Sequence, residues 1–381
     1  MAENEQRLKT EFGKSGRDFS VDILRCFSCW MVITGHAVNM IARAQNNAPE
    51  VIIGSMTWDM LAIIKAVVIS ATTIFIMVSG IFFLSPNRTV TPKRIWKKNI
   101  LKLVCAYIVW CWIYAIFYGI YNGESLSLYK VLYGGLLNQP IHLWYIPMLV
   151  ALYVIAPFLR LITKQADKEL YKYGLIIFFA AFTLNTVLYF PELTDFQTIK
   201  YFLSKTPTQE VATYAAIYIF GYYLYTFRPD DRTRRMIYVF GIIAIIISSW
   251  FTIYAAADTN HFAVWGRHFY GKLTITSVIK NAAIFLFIVT VFQNVKLKGI
   301  GRVFLTKLSN ATLIIYLIHI IFLKITFNSG LFYPFGLNPA IGVVIHSTIV
   351  FLMGFVVAFA FQSVPWKKIK DKLFLRRRAA L

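Results

Sequence analysis

The sequence predicts an all-α, polytopic integral membrane protein with about ten transmembrane helices. Hydrophobic residues make up 58% of the 381 residues and charged residues only 15%. Apolar windows of about 20 residues recur from Phe19 to Gln362, and each is long enough to cross a hydrocarbon core about 30 Å thick. Charged residues gather in short clusters between these windows, whereas a soluble helical protein would place them along every helix.

The net charge of +22 reflects membrane topology rather than nucleic-acid binding. Basic clusters occur after every second apolar window, as the positive-inside rule requires, so both termini are predicted to be cytoplasmic. The same clusters suit contact with anionic lipids. No cleavage site follows the first window, which predicts a retained span rather than a signal peptide. We therefore expect a multi-pass protein of the inner (plasma) membrane, without a nucleic-acid partner.

The loops that connect successive spans alternate in composition. The predicted internal loops are basic, and the predicted external loops are richer in polar residues, Pro and Gly. Residues 1–18 are predicted to be a cytoplasmic segment, residues 19–365 the transmembrane domain and residues 366–381 a basic cytoplasmic tail. The sequence does not specify where the shorter spans begin and end. The spans are predicted near residues 19–42, 58–84, 96–118, 142–163, 171–190, 211–227, 236–256, 272–293, 310–328 and 339–362.

The first span carries Arg25 and His36. Eleven residues at about 100° each bring His36 within about 20° of the face of Arg25, about 16 Å further along the helix. Ionisable groups inside a membrane are costly and indicate function. Imidazole suits proton transfer near neutral pH, and burial would favour its neutral form. Asp22, one turn before Arg25, is interpreted as the counter-ion of that arginine.

The second span ends with Ser79 and Gly80, and a basic run follows at the start of the third span. A Ser-Gly pair lets a ligand or another helix approach the backbone closely, and helix packing is the commoner use of such a pair. Both features lie on the same side as Arg25. Together they predict a mouth for a phosphate-bearing cytosolic ligand. The run contains Lys93, Arg94, Lys97, Lys98 and Lys102.

The fourth span opens with His142, Trp144 and Tyr145. Trp and Tyr at the edge of a span are usually interfacial anchors. His142 is predicted near the outer boundary, where solvent reaches it. In the ninth span, Tyr316 and His319 are one turn apart and share a face. A lone histidine in such a place is often only hydrogen-bonded within a packed interior.

The sequence lacks the motifs that are typical of several other functions. The cysteines and histidines show no convincing metal-ligand spacing, so no metal is expected. No series of acidic residues crosses the bilayer, as a proton- or sodium-coupled carrier would commonly need. The chain also lacks a Walker-type phosphate loop, a dinucleotide fingerprint and a nucleophile elbow.

In this order, the motifs resemble those of the integral-membrane acyltransferase family 3. The resemblance extends from about Phe19 to Pro365, and the fourth-span motif looks most like the stand-alone surface-polysaccharide O-acyltransferase branch. This chain departs from the family before span three, where lysines replace the usual arginines. The matching elements are Arg25 and His36 with ten residues between them, Phe75-x-x-x-Ser79-Gly80, the basic run, His142-Leu-Trp144-Tyr145, Phe220-Gly221-Tyr222-Tyr223 and Tyr316-Leu-Ile-His319.

The resemblance implies a transferase that moves an acyl group, usually acetyl, from cytoplasmic acyl-CoA to a hydroxyl of an extracytoplasmic or lipid-linked glycan. Acyl-CoA is then a donor substrate, and no permanently bound cofactor is implied. His36 and Arg25 become the catalytic pair, and Arg25 with the basic run becomes the donor site. Supporting or substrate-binding roles are predicted for Asp22, Ser79, Gly80, His142, Trp144, Tyr145, Tyr316 and His319.

Some alternatives stay open at this point. His36 acts either as a general base for direct transfer or as a transiently acylated carrier. The main rival function is a glycolipid flippase or small-solute transporter whose His and Arg line a pathway. The sequence does not specify the acceptor or the oligomeric state, and succinyl remains an alternative to acetyl.

Overall fold

The computed structural model describes residues 17–43, 53–85, 91–188, 201, 212–259, 273–329 and 338–364. These ranges consist of helices and their connecting turns, without a strand, so the all-α prediction is confirmed. The tail at 366–381, nearly all of the segment at 1–18 and most of the predicted external loop residues lie outside the described residues.

A helix occupies each of the ten predicted spans, and within the described ranges seven stretches are long and apolar enough to cross a membrane. The chain is therefore a multi-pass membrane protein, while the count of ten and the orientation of the termini stay predictions. The helices are α1 Phe19–Arg43, α2 Met56–Val68, α3 Ala71–Leu84, α4 Pro92–Tyr121, α5 Tyr145–Gln165, α6 Lys168–Leu188, α7 Tyr214–Thr226, α8 Asp231–Thr259, α9 Ile275–Val291, α10 Gly299–Asn328 and α11 Pro339–Ser363.

The predicted second span is divided into two half-helices, α2 and α3, which the sequence did not indicate because no Pro or Gly lies at the break. A helix break inside a membrane frees backbone groups that must find new partners. Lys280, which is 2% exposed, donates to the carbonyl of Ala66 at 2.5 Å. Asn281 donates to the carbonyl of Ser70 at 3.2 Å. These two side chains of α9 therefore stabilise the break.

Helices α3 and α7 cross at unusually short range. A Cβ atom on Gly80 would lie 2.1 Å from the carbonyl oxygen of Tyr218, and one on Gly221 would lie 2.3 Å from the Cα of Met77. Only glycine allows two backbones to come this close. Gly80 therefore packs against α7, while its neighbour Ser79 faces a cavity on another side of α3.

One end of the bundle, which we call the basic end, contains Arg17, Arg94 and Arg160. Helices α1, α4 and α10 begin here, and α3 and α5 end here. Arg160 donates to the carbonyls of Phe83 at 2.9 Å and Ser85 at 2.7 Å. A cation suits the last carbonyls of a helix, which carry partial negative charge. This contact fixes the end of α3 against α5.

Candidate active site

A cavity of about 680 Å³ lies between α1, α3, α4, α5 and α10, and we call it the donor cavity. This volume is within the range of small-molecule sites. Each helix contributes one of its faces to the cavity wall, since residues three, four, seven and eight positions apart lie on the same face of a helix. On α3 these residues are Phe75, Val78, Ser79, Phe82 and Phe83.

Arg25 and Arg94 place two cationic side chains in the wall of the donor cavity. Arg25 comes from α1, and its guanidinium donates to the hydroxyl of Thr312 at 3.4 Å. Arg94 and Asn99 come from the start of α4, where residues 96–100 form a π-helical turn. Guanidinium groups bind phosphate oxygens with two parallel hydrogen bonds, so this wall suits an anionic ligand.

The predicted ion pair between Asp22 and Arg25 does not form, and that interpretation was wrong. Asp22 instead pairs with Arg17, which precedes α1, at 2.5 Å. It also accepts a hydrogen bond from Ser309 at 2.6 Å. The hydrogen bond to Asp22 raises the pKa of Arg17. Within the described residues Arg25 has no carboxylate partner, so its charge is available to a ligand in the cavity.

The basic run divides into one residue that lines the donor cavity and four that do not. Arg94 lines it, whereas the lysines of the run are exposed and lie outside its wall. Asn99, Leu103 and Tyr153 line the cavity although the sequence analysis had not singled them out. Helical spacing could have indicated two of them, because Asn99 and Leu103 lie four and eight residues after Ile95 and so share its helix face. The exposed lysines are Lys93, Lys97, Lys98 and Lys102.

Three histidines from distant parts of the chain form one cluster. The ring centroids of His36 and His319 are 5.2 Å apart, those of His142 and His319 5.3 Å, and those of His36 and His142 6.2 Å. His36 is half-buried, and the other two are almost fully buried. The prediction that solvent reaches His142 was wrong, because Tyr114 packs against its ring at 4.8 Å.

The tautomer of His319 follows from its partner. Its Nδ1 lies 2.5 Å from the backbone carbonyl of Tyr316, and a carbonyl only accepts, so Nδ1 carries the hydrogen. The Nε2 of His319 then has a free lone pair. This atom and the Nε2 of His142 are both buried and have no hydrogen-bond partner among the described residues. Buried polar atoms are normally paired, so these two ring nitrogens are candidates for a hydrogen bond to a substrate.

Tyr316 connects the histidine cluster to the donor cavity. Its ring lines the cavity and lies 5.6 Å from the ring of His319. Its hydroxyl donates to the backbone carbonyl of His142. Tyr145 also lines the cavity, whereas Trp144 does not and packs against Tyr145 and Tyr214. The three histidines are absent from the cavity wall, so they lie behind these aromatic rings.

A buried lysine beside His36 was missed by the sequence analysis. Lys65 is 4% exposed and donates to the carbonyl of Gly35 at 3.0 Å and to the side chain of Asn39 at 2.6 Å. It thereby fixes α1 at the residue before His36. The sequence could have indicated Lys65 as a candidate functional residue, because a lysine in the middle of a largely apolar span is unusual.

The described residues contain no group of three His, Cys, Asp or Glu side chains arranged to hold a metal ion. The fold and the site thus define a polytopic membrane protein with a buried histidine cluster next to an arginine-lined cavity. The family 3 acyltransferase model, described as an acyltransferase domain, matches residues 18–362. The chain belongs to this family and is a membrane acyltransferase. No curated protein and no solved structure matches it significantly.

Proposed function

We propose that the protein is an acyl-CoA-dependent O-acyltransferase of the inner (plasma) membrane that transfers an acyl group, most simply acetyl, to a hydroxyl of an extracytoplasmic or lipid-linked glycan. One observation carries the proposal: an arginine-lined cavity extends from the basic end to Tyr316, whose neighbour His319 contacts His36. Membership of the family supports acyl transfer over the transporter alternative.

The donor cavity suits the parts of an acyl-CoA molecule. Arg94 near the basic end and Arg25 deeper in the cavity bind phosphate oxygens. The aromatic and aliphatic side chains of the cavity wall contact the pantetheine arm. His36 lies about 16 Å from Arg25 along α1, a distance comparable with an extended pantetheine. The thioester then lies at the inner end of the cavity, next to the histidine cluster.

His36 supplies the base for the chemical step. A sugar hydroxyl attacks a thioester efficiently only when a base within hydrogen-bond reach accepts its proton. In direct transfer, the hydroxyl oxygen forms a C–O bond with the acyl carbon while the C–S bond breaks. The hydroxyl proton passes to His36 and then to the thiolate, which leaves as CoA thiol. Atoms and charge balance without a metal or a redox partner.

A second route also balances. The His36 nitrogen forms a bond to the acyl carbon while the C–S bond breaks, and the imidazole proton goes to the thiolate, which leaves as CoA thiol. The glycan hydroxyl then attacks the acyl-imidazole, the C–N bond breaks, and the hydroxyl proton returns to His36. Incubation with labelled acetyl-CoA in the absence of acceptor distinguishes the routes. A labelled protein that forms within one turnover and disappears on addition of acceptor supports the relay, whereas its absence supports direct transfer.

The proposal is tested with the purified full chain in lipid nanodiscs, with labelled acetyl-CoA as donor and membranes of a strain lacking the gene as acceptor. We expect acetyl transfer to the glycan fraction and loss of that transfer in a His36→Ala variant. His346→Ala is the matched control, because His346 is buried on α11, where it pairs with Thr326. Unchanged transfer by a folded His36→Ala variant would overturn the role of His36.

Mass spectrometry of cell-envelope glycans identifies the acceptor. Cells with the gene should carry one acyl mass increment that cells without it lack, and the increment distinguishes acetyl from succinyl. A glycan whose location changes while its mass does not would instead support the flippase alternative.

A further inference from the structure

The face of α1 that carries Arg25 and His36 is open at two levels and closed between them. At about 100° per residue, Cys29, Val32 and Asn39 all lie within about 60° of this face. Arg25 is half-buried and lines the donor cavity. One and two turns further along α1, Cys29 and Val32 are 0% and 6% exposed. The face then opens again at His36 and Asn39, which are both half-buried, and we call this place the outer opening.

The outer opening faces the interior of the bundle rather than the surrounding lipid. Phe27, an apolar residue of α1, is 37% exposed. Nine residues separate it from His36, and at about 100° each they place the two side chains on opposite faces of the helix. His36 contacts the rings of His142 and His319, which come from other parts of the bundle. Since His36 does not line the donor cavity, its exposed surface belongs to the outer opening.

Asn39 lies on the far side of His36 from the donor cavity. Helix α1 begins at the basic end, and Asn39 is about 4.5 Å further from that end than His36 is. Side chains three residues apart are neighbours on a helix surface. A substrate that enters through the outer opening therefore meets Asn39 next to His36.

A buried lysine determines which way the amide of Asn39 points. Lys65 is 4% exposed and donates to the side-chain oxygen of Asn39 at 2.6 Å. An ammonium group only donates, so the atom of Asn39 that it contacts must be the oxygen. The amide nitrogen of Asn39, which carries two N–H donors, therefore points away from Lys65. These donors have no acceptor among the described residues, so they are available to a ligand in the outer opening.

We infer that Asn39 binds the acceptor and that Lys65 is the positioning residue that orients its amide. This inference rests on the proposed function, in which His36 takes the proton of a glycan hydroxyl. A sugar carries several oxygens close together, and each accepts hydrogen bonds. The amide of Asn39 donates to an oxygen near the reacting hydroxyl and so holds that hydroxyl beside His36. The acceptor enters through the outer opening and the donor from the basic end.

The test uses the full chain in nanodiscs with a fixed, saturating concentration of acetyl-CoA and increasing amounts of the acceptor membranes from the strain lacking the gene. Asn39→Ala should raise the apparent KM for these membranes about three- to tenfold, because a hydrogen bond to the acceptor is lost. Asn39→Asp should raise it at least as much. The aspartate still accepts a hydrogen bond from Lys65 but donates none, so it preserves the structural contact and removes only the contact to the acceptor. The Kd for acetyl-CoA should stay at the wild-type value in both variants.

Two further variants complete the test. Lys65→Met keeps an unbranched side chain but removes the ammonium group, and it should also raise the KM for the acceptor membranes, because the amide of Asn39 is no longer held. Asn310→Ala is the matched control, since it removes an exposed amide at the basic end, where Asn310 accepts a hydrogen bond from Arg17 at 3.3 Å. It should leave both constants unchanged. A wild-type KM in a folded Lys65→Met variant would overturn the positioning role of Lys65.

The aspartate variant decides whether Asn39 contacts the acceptor. A wild-type KM for the acceptor membranes in an Asn39→Asp variant that is folded, as judged by gel filtration, would overturn the inference, because Asn39 would then serve only as a partner of Lys65. A raised Kd for acetyl-CoA with an unchanged KM for the membranes would overturn it too, since Asn39 would then belong to the donor site. If the wild type transfers no acetyl group, the proposed function fails and the inference fails with it.

Discussion

The imidazole rings of His36 and His319 lie with their centroids 5.2 Å apart, although they come from α1 and α10. His319 is one helical turn from Tyr316, and Tyr316 lines the donor cavity. The contact therefore joins the proposed base to the cavity through a single turn of α10. His319 is a positioning residue in this arrangement, because its Nδ1 is held by the carbonyl of Tyr316 and its Nε2 belongs to the cluster.

Substitution of His319 should separate catalysis from donor binding. His319→Ala should lower kcat on the order of 100-fold, because loss of the contact displaces His36 from its working geometry. The KM for acetyl-CoA should change little, since His319 lies outside the cavity wall. His319→Gln should retain more activity, as an amide can still donate to the Tyr316 carbonyl. Steady-state kinetics check this, and a raised KM with normal kcat would contradict the assignment.

The basic run should contain one residue that matters for donor binding. Arg94→Ala should raise the KM for acetyl-CoA about five- to tenfold, because a hydrogen bond to a charged group contributes about 1.5 kcal/mol or less at an exposed site. Lys97→Ala and Lys98→Ala are the matched controls and should change KM less than about twofold, since neither side chain lines the cavity. Equal effects of all three substitutions would show a diffuse electrostatic role instead.

The crossing of α3 and α7 should tolerate no added methyl group. Gly80→Ala and Gly221→Ala should each destabilise the fold by about 1–3 kcal/mol or more, because the new Cβ atoms would overlap neighbouring backbone atoms. Thermal unfolding in detergent measures this as a lowered midpoint. Gly174→Ala on α6 is the control, since nothing lies within 4 Å of its added Cβ. A normal midpoint for Gly80→Ala would show that the helices are further apart.

Removal of the Asp22 charge distinguishes the two possible partners of this carboxylate. Asp22→Asn should lower stability by about 1–3 kcal/mol, because Arg17 and Ser309 lose a charged acceptor. The KM for acetyl-CoA should stay the same. If Asp22 neutralised Arg25 instead, its loss would strengthen anion binding and lower KM. A double-mutant cycle with Arg17→Gln should give a coupling energy for the pair.

Much of the fold could be predicted from the sequence, because a membrane helix is specified locally by the length and apolarity of its own segment. Helices occupy all ten predicted spans, and the uninterrupted α1 keeps Arg25 and His36 on one helix. The break between α2 and α3 could not be predicted in this way. It depends on Lys280 and Asn281 of α9, which are distant in sequence.

The candidate site was only partly predictable for a related reason. The sequence placed Arg25, His36, His142 and His319 on their helices, but the convergence of the histidines depends on how those helices pack. The partner of Asp22 was missed because Arg17 lies before the helix, where helical spacing gives no information. Composition likewise could not separate Arg94 from its neighbouring lysines, since only the rotation of α4 decides which of them faces the cavity.

The central claim is that Arg25 binds the donor and His36 performs the transfer. It is tested most directly by measuring the Kd for acetyl-CoA and the single-turnover transfer rate on the same Arg25→Ala and His36→Ala proteins. Arg25→Ala should weaken binding about tenfold or more. His36→Ala should bind as the wild type does and transfer at least about 100-fold more slowly. Normal donor binding by Arg25→Ala, or normal transfer by a folded His36→Ala, would contradict the account.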